Sequence, residues 1–281
     1  KIEGGSINDN FEYQMPVASA QVKSSILFSA LGGNNVSSIN EIIPTRNHSE
    51  IMLNNMGALI ERIGDKIVVH PLKSKLKSID ISVPSDPSSS AFFAGLAVIS
   101  NNSKLKLTNV LLNESRIGFV EVLKRMNCLV KKSNESIHNG EKVGDLTFRS
   151  SNLKAIEVES KIIPSIIDEI PILAVIAAFA KGTTVFNNVE ELKYKECDRL
   201  RAIIHNLKAF GIKTYENNNN LFVEGGKIKK MAEITTFDDH RIAMAFTILS
   251  LTSFKKYKLD NKECVDISLP NFFKYLSEVT K

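Results

Sequence analysis

The chain has 281 residues, 43% of them apolar and 24% charged, the make-up of an ordinary globular protein with room for two domains. A net charge of +5 without a concentrated basic run, five tyrosines and no tryptophan argue against a nucleic-acid groove. No uninterrupted apolar run reaches the roughly 18 residues of a membrane span, and Cys128, Cys197 and Cys264 are scattered, odd in number and without metal-ligand spacing, so a reducing, cytoplasmic setting is expected.

The chain opens at Lys1 in mid-pattern, with no signal peptide, as if an N-terminal part preceded it. Four similar blocks follow. Each starts with an apolar helix rich in small residues: PVASAQVKSSILFSAL from Pro16, PSDPSSSAFFAGLAVI from Pro84, PSIIDEIPILAVIAAFA from Pro164 and DDHRIAMAFTILSL from Asp238. The starts recur at roughly 70–80 residues, a loose internal repeat. Each block also carries a second, amphipathic helix, from His48, Arg116, Cys197 and Leu269. Alternating segments between them, Leu105–Val110 and Thr184–Val189, read as half-buried strands. Asn217 to Asn220 reads as a hairpin tip and Gly225-Gly226 as a turn. The expected unit is βαβαββ, an α/β (α+β) repeat with the first helices in the core. The best domain boundary is at Val83-Pro84, giving 1–83 and 84–281.

Polar residues gather where helices begin. Ser19 and Gln21 precede the first helix, and Thr45, Arg46 and His48 the second. Asp86 and Ser88 to Ser90 open the third, and Asp168 lies near the start of the fifth. Lys195, Glu196 and Arg199 open the sixth, and Asp238 to Arg241 the seventh. Helix N-termini present free N–H groups and the positive end of the dipole, so several aimed at one place would collect a multiply charged anion. The Lys-Glu-Cys-Asp-Arg run at 195–199 is the sharpest case: a point charge, a planar fork and a proton carrier together. The same run also reads as a capped helix start with solvated charges, and Ser88 to Ser90 with Asp86 as ordinary caps. Cys197 is either a nucleophile or a bystander thiol; no histidine lies near it in sequence.

Taken together, PVASAQVKSSIL, PTRNHSE, VPSDPSSSAFF, PSIIDEIPIL, ELKYKECDRL and DDHRIAMAF resemble, in order and spacing, the 5-enolpyruvylshikimate-3-phosphate synthase (EPSP synthase) family from about Ile2 to about Leu276. The ASAQVKS and TRNH forms are similar to its glyphosate-tolerant bacterial branch. The resemblance implies a two-domain enolpyruvyl transferase fold, an inside-out barrel of six βαβαββ units, of which about four are present. Residues 1–83 would be the last unit of the first domain, and 84–281 the three units of the second. The family's Gly-Ser-Lys-Ser segment has no counterpart, so activity is expected to need an N-terminal region beyond this chain.

The implied reaction transfers the enolpyruvyl group of phosphoenolpyruvate to the 5-hydroxyl of shikimate 3-phosphate, in the shikimate pathway toward chorismate and the aromatic amino acids. The family's roles fall by position on Asp168 and Glu196 for catalysis. Ser19, Ala20, Gln21, Arg46, Asp168 and Lys195 fall on shikimate 3-phosphate. Gln21, Glu196, Arg199 and Arg241 fall on phosphoenolpyruvate, with Asp239 and His240 in support. A second serine is common at the place of Ala20, and Ile267 stands where the family has a late lysine, so one hydroxyl and one cation of the pattern are absent. No cofactor or metal is implied. The implied partners are the two anionic substrates, with no nucleic acid and no membrane, on a monomer. The rival readings are a UDP-N-acetylglucosamine enolpyruvyl transferase, whose motifs differ from ASAQVKS and KECDR, and a non-catalytic anion-binding scaffold.

Overall fold

The computed structural model describes residues 11–280; the first residues of the resemblance, from Ile2, lie outside the described residues. The chain divides into two compact units. One runs up to Val83 and also takes 136–143; the other holds 84–135 and the chain from Gly144 onward.

The first unit has the order β1 (Glu12–Gln14), α1 (Ala20–Leu31), β2 (Ser37–Asn40), α2 (His48–Asn55), β3 (Ile60–Ile63) and β4 (Lys66–Val69), which is βαβαββ. Its sheet runs β1-β2-β4-β3, with β1 parallel to β2 and the other two pairs antiparallel. Leu27, Ala30, Leu31, Ile39, Leu53, Ile67 and Val69 form its core. The expected helix from Pro16 starts instead at Ala20. Ser19 keeps extended backbone angles and its hydroxyl accepts from the Val22 N–H, so it caps the helix.

From residue 84 onward the chain forms α3 (Pro87–Ile99), β5 (Lys104–Leu111), α4 (Gly118–Arg125), β6 (Leu129–His138), β7 (Glu141–Arg149), β8 (Glu157–Val158), α5 (Ile170–Ala177), β9 (Thr183–Phe186), α6 (Arg199–Ala209), β10 (Thr214–Asn217), β11 (Asn220–Glu224), α7 (His240–Phe254) and α8 (Phe272–Val279), all in the second unit except the β6–β7 hairpin end over 136–143, which belongs to the first. The sheet β8-β9-β11-β10 repeats the strand order and the parallel–antiparallel pattern of the first unit. The sheet β5-β7-β6 lacks the first strand, which survives only as a parallel bridge between Ser85 and Val110. In the last repeat a parallel bridge, Ile234 to Leu259, stands in the same place.

Helices α3, α5 and α7 pack against one another and are buried on nearly every face. Helices lie inside and sheets outside, as the inside-out reading expects. Among the described residues, however, every sheet stays open and none closes on itself.

Local chemistry explains where the helices depart from their sequence-predicted limits. The expected helix from Pro164 becomes a 3₁₀ turn over 160–165, and α5 begins only at Ile170. Pro171 has no N–H to give and is tolerated in a first turn but not further in. Asp168 is thereby left on the non-helical approach to α5. The Asn217–Asn220 tip is a two-residue hairpin turn, with Asn218 and Asn219 both at positive φ. Gly225 is more than a turn residue: a Cβ there would stand 1.8 Å from the Ala180 carbonyl oxygen. Its N–H bonds the Gly182 carbonyl, and that of Gly226 the Ala178 carbonyl, so the backbone is pinned against the end of α5.

Candidate active site

In the second unit the N-termini of α3, α5, α6 and α7 are joined through polar side chains. The centre is Arg199, the first residue of α6, whose side chain is fully buried. Its Nε donates to Asp239 Oδ2 at 2.8 Å, its Nη1 to Asp168 Oδ1 at 3.2 Å, and its Nη2 to Glu196. Burial works against the guanidinium charge, but Asp239, Glu196 and Asp168 outweigh it and hold its pKa above the ordinary value.

Asp239 is also buried and caps α7 by accepting from the N–H groups of Arg241 and Ile242. Arg241 turns its Nη1 to the Asp168 backbone carbonyl at 3.3 Å, with Nη2 3.7 Å from Asp168 Oδ2; its Nε is buried without a hydrogen-bond partner. His240 is buried, with Nδ1 likewise unpartnered, and desolvation, aided by the Arg241 charge, lowers its pKa.

The approach to α7 is strained. Phe237 and Asp238 both adopt positive φ, near 54° and 57°. They are held there by Thr236, whose hydroxyl donates to Asp260 at 2.7 Å, and by Asn261, which donates to Asp238 at 2.7 Å. Such backbone is costly for a phenylalanine and recurs where a site must be aimed.

The structure thus brings together Asp168, Glu196, Arg199, Asp239 and Arg241, with His240 beside them. The expected helix start at Cys197 moves to Arg199, because Asp198 is the cap. Lys195 is not in the cluster: its ammonium pairs with Glu191. Cys197 donates to Asp239 Oδ2 at 3.7 Å, and burial together with that carboxylate pushes its thiol up to about 12. It therefore stays protonated and is no nucleophile at neutral pH. Ile267 is largely exposed.

Glu169 was not singled out by sequence. It is fully buried, accepts from the Ser88 hydroxyl, and so ties α5 to α3; Ser88 in turn accepts from Arg116 Nη2 at 3.0 Å. Burial pushes the Glu169 carboxyl up to about 7, and the neighbouring Asp168 charge acts the same way. The unfolded chain gives up this proton near the ordinary 4.5. The folded state therefore binds more protons between those values. The stability linked to Glu169 is complete below about 4.5 and is lost as pH rises through about 7, a change of roughly 3 kcal/mol. Glu169→Gln is expected to flatten that slope in urea melts across this range; an unchanged slope would show that Glu169 is not its source.

The first unit holds the other group. Ala20, Gln21, Ser24, Ser25, Arg46 and His48 line a concavity of about 510 Å³ together with Phe28 and Ser49. Ser19 Oγ lies 3.2 Å from Gln21 Oε1, and Ser24 and Ser49 share a 2.7 Å hydroxyl contact. His48 is engaged through Nδ1 by Glu141. Hydroxyls, an amide and a guanidinium around one hollow suit a phosphorylated ligand. Lys23, on the same helix as Gln21 and Ser24, is part of the ASAQVKS run and is fully buried.

Among the described residues no group of three or more His, Cys, Asp or Glu is placed to hold a metal ion, and no helix is long and apolar enough to cross a membrane.

Comparison with known proteins identifies the family. The family model described as EPSP synthase (3-phosphoshikimate 1-carboxyvinyltransferase) matches residues 1–276. A protein of Clostridium tetani named 3-phosphoshikimate 1-carboxyvinyltransferase is 44% identical over 95% of this chain and 61% of its own length. One of the same name from Thermoanaerobacter sp. (strain X514) is 42% identical over 93% of this chain and 62% of its own. The chain thus spans about three fifths of the length of these curated relatives. A solved EPSP synthase from Acinetobacter baumannii superposes with a TM-score of 0.89 at 35% identity, covering 96% of this chain and 62% of that one. On its sequence, its repeated topology and these matches, the chain belongs to the EPSP synthase family.

Proposed function

We propose that the chain serves as a 3-phosphoshikimate 1-carboxyvinyltransferase, moving the enolpyruvyl group of phosphoenolpyruvate onto the 5-hydroxyl of shikimate 3-phosphate and releasing phosphate. The observation that carries this is the cluster of Asp168, Glu196, Arg199 and Arg241 at joined helix N-termini. The name shared by the relatives supports it.

Asp168 takes the proton of the 5-hydroxyl as its oxygen adds to carbon 2 of phosphoenolpyruvate, and Glu196 delivers a proton to carbon 3. The carbon–oxygen bond to phosphate then breaks as carbon 3 gives its proton back, leaving the enol ether. Arg199 and Arg241 hold the phosphoenolpyruvate carboxylate and phosphate. In the first unit Ser19, Gln21 and Arg46 hold shikimate 3-phosphate beside the methyl of Ala20. Asp239 and His240 keep the arginines in place. In this reading residues 1–83 are the last repeat of a first domain and 84–281 a second domain, acting as a cytoplasmic monomer.

The test is phosphate release from phosphoenolpyruvate, measured with and without shikimate 3-phosphate. It is run on this chain and on the chain joined to the N-terminal part of the Clostridium tetani relative. Release that depends on both substrates is expected from the joined protein. A folded joined protein that releases none sinks the reading.

A further inference from the structure

We infer that Lys23 is a positioning residue that fixes Arg46 relative to Gln21, so that the phosphate-binding hollow of the first unit keeps one spacing. This rests on the reading of that hollow as the shikimate 3-phosphate site.

Lys23 belongs to α1, the helix that presents Ala20 and Gln21, yet its side chain is 0% exposed. It lies one turn from the helix start, where the dipole disfavours a cation. Its Nζ is 3.2 Å from Glu41 Oε1 and 2.8 Å from Glu50 Oε1, and donates to the Thr45 carbonyl at 3.4 Å. Glu41, also buried, accepts the Thr45 N–H at 2.7 Å and the Thr45 hydroxyl, and its second oxygen takes Arg62 Nη1 at 2.7 Å. Burial opposes the Glu41 charge, but the Thr45 and Arg62 bonds and the Lys23 charge hold its carboxyl below the ordinary value.

Thr45 immediately precedes Arg46. Three contacts from one buried network therefore fix the peptide that carries Arg46 to the helix that carries Gln21. Buried ion networks stabilise a fold no better than apolar residues of equal volume. What this one supplies is geometry: a well-placed guanidinium is worth far more to a phosphate than a mobile one.

The experiment measures the affinity of the full chain for shikimate 3-phosphate and for unphosphorylated shikimate by calorimetry. Lys23→Met combined with Glu50→Gln removes the clamp while leaving Glu41 balanced by Arg62. Arg46→Gln is the control for the site itself. A folded Lys23→Met/Glu50→Gln protein is expected to lose about tenfold or more in affinity for the phosphorylated ligand, with little change for shikimate. A purely structural role would lower the melting temperature and leave that ratio alone.

If Arg46→Gln loses the phosphate preference and the double variant keeps it, the inference is overturned and the site reading stands. If the unaltered chain shows no phosphate preference, or Arg46→Gln keeps it, both fall. Should the double variant not fold, Thr45→Val replaces it, removing one hydroxyl bond of the same network. A loss of about threefold supports the inference, and unaltered affinity overturns it.

Discussion

Asp168→Ala is expected to lower turnover in the joined enzyme by about 10²–10⁴-fold, the usual contribution of one general base. The substitution removes the carboxylate that would receive the 5-hydroxyl proton. It also frees Arg199 Nη1 and leaves Arg241 with its bond to the residue 168 carbonyl alone. Two effects can therefore be separated. Loss of the base lowers kcat, while loosened arginines change the KM for phosphoenolpyruvate. Asp168→Asn keeps a hydrogen-bonding oxygen for Arg199 and should fall in kcat with a smaller change in KM. Glu196→Gln should likewise lose about 10²-fold or more in rate. Its side chain is half exposed, so little stability should go with it. Steady-state kinetics on the three variants decide the matter; an Asp168→Ala enzyme near the normal rate would remove this residue from the mechanism.

Asp239→Ala should be the most damaging change to the fold of the site. Asp239 and Arg199 are both fully buried and meet at 2.8 Å. Removing one partner of a buried pair leaves the other's desolvation uncompensated, which costs about 3–5 kcal/mol. The α7 cap is lost as well, worth about 1 kcal/mol. Asp168 and Glu196 still touch Arg199, so the lower end of the first figure is the better guide. Urea melts measure the loss. A second readout comes from Cys197, whose thiol is held protonated by burial and by Asp239. Without that carboxylate its pKa falls, and it should react faster with a disulfide reagent in the folded protein. Unchanged stability would mean that Arg199 finds a substitute partner.

Much of this arrangement is legible in the sequence because it is local. Caps, proline positions and apolar periods place most of the helices, and charged residues at helix starts single out Asp168, Arg199 and Asp239. What sequence reading misses depends on packing between distant segments. Nothing in the sequence marks Lys23, inside the ASAQVKS run, or Glu169, just before α5, as buried; Glu41 and Ser88 reach them from distant segments. Phe237 gives no sign of its positive φ, which the Asp260 and Asn261 contacts impose. Gly225-Gly226 reads as an ordinary turn, and only the nearness of Ala180 shows why a side chain is not tolerated at Gly225. Lys195 stands in the expected run but faces Glu191, a direction the run itself does not encode.

The recurring strand order has a consequence for how the chain reaches its native state. Each hydrogen-bonded ladder is completed within its own repeat: β1 to β4 inside 12–69, β5 to β7 inside 104–149, and β8 to β11 inside 157–224. Among the described residues no named strand takes its sheet partner from another repeat. The entropy of loop closure rises only slowly with length, by about 0.6 kcal/mol per doubling, but rate depends on how far apart in sequence the pairing partners lie. Three sheets assembled from nearby segments can form independently, and the remaining search is for the packing of α3, α5 and α7. The packing of those helices also buries Arg199, Asp239 and Glu169, so desolvation of the charged centre is expected to coincide with it in refolding experiments.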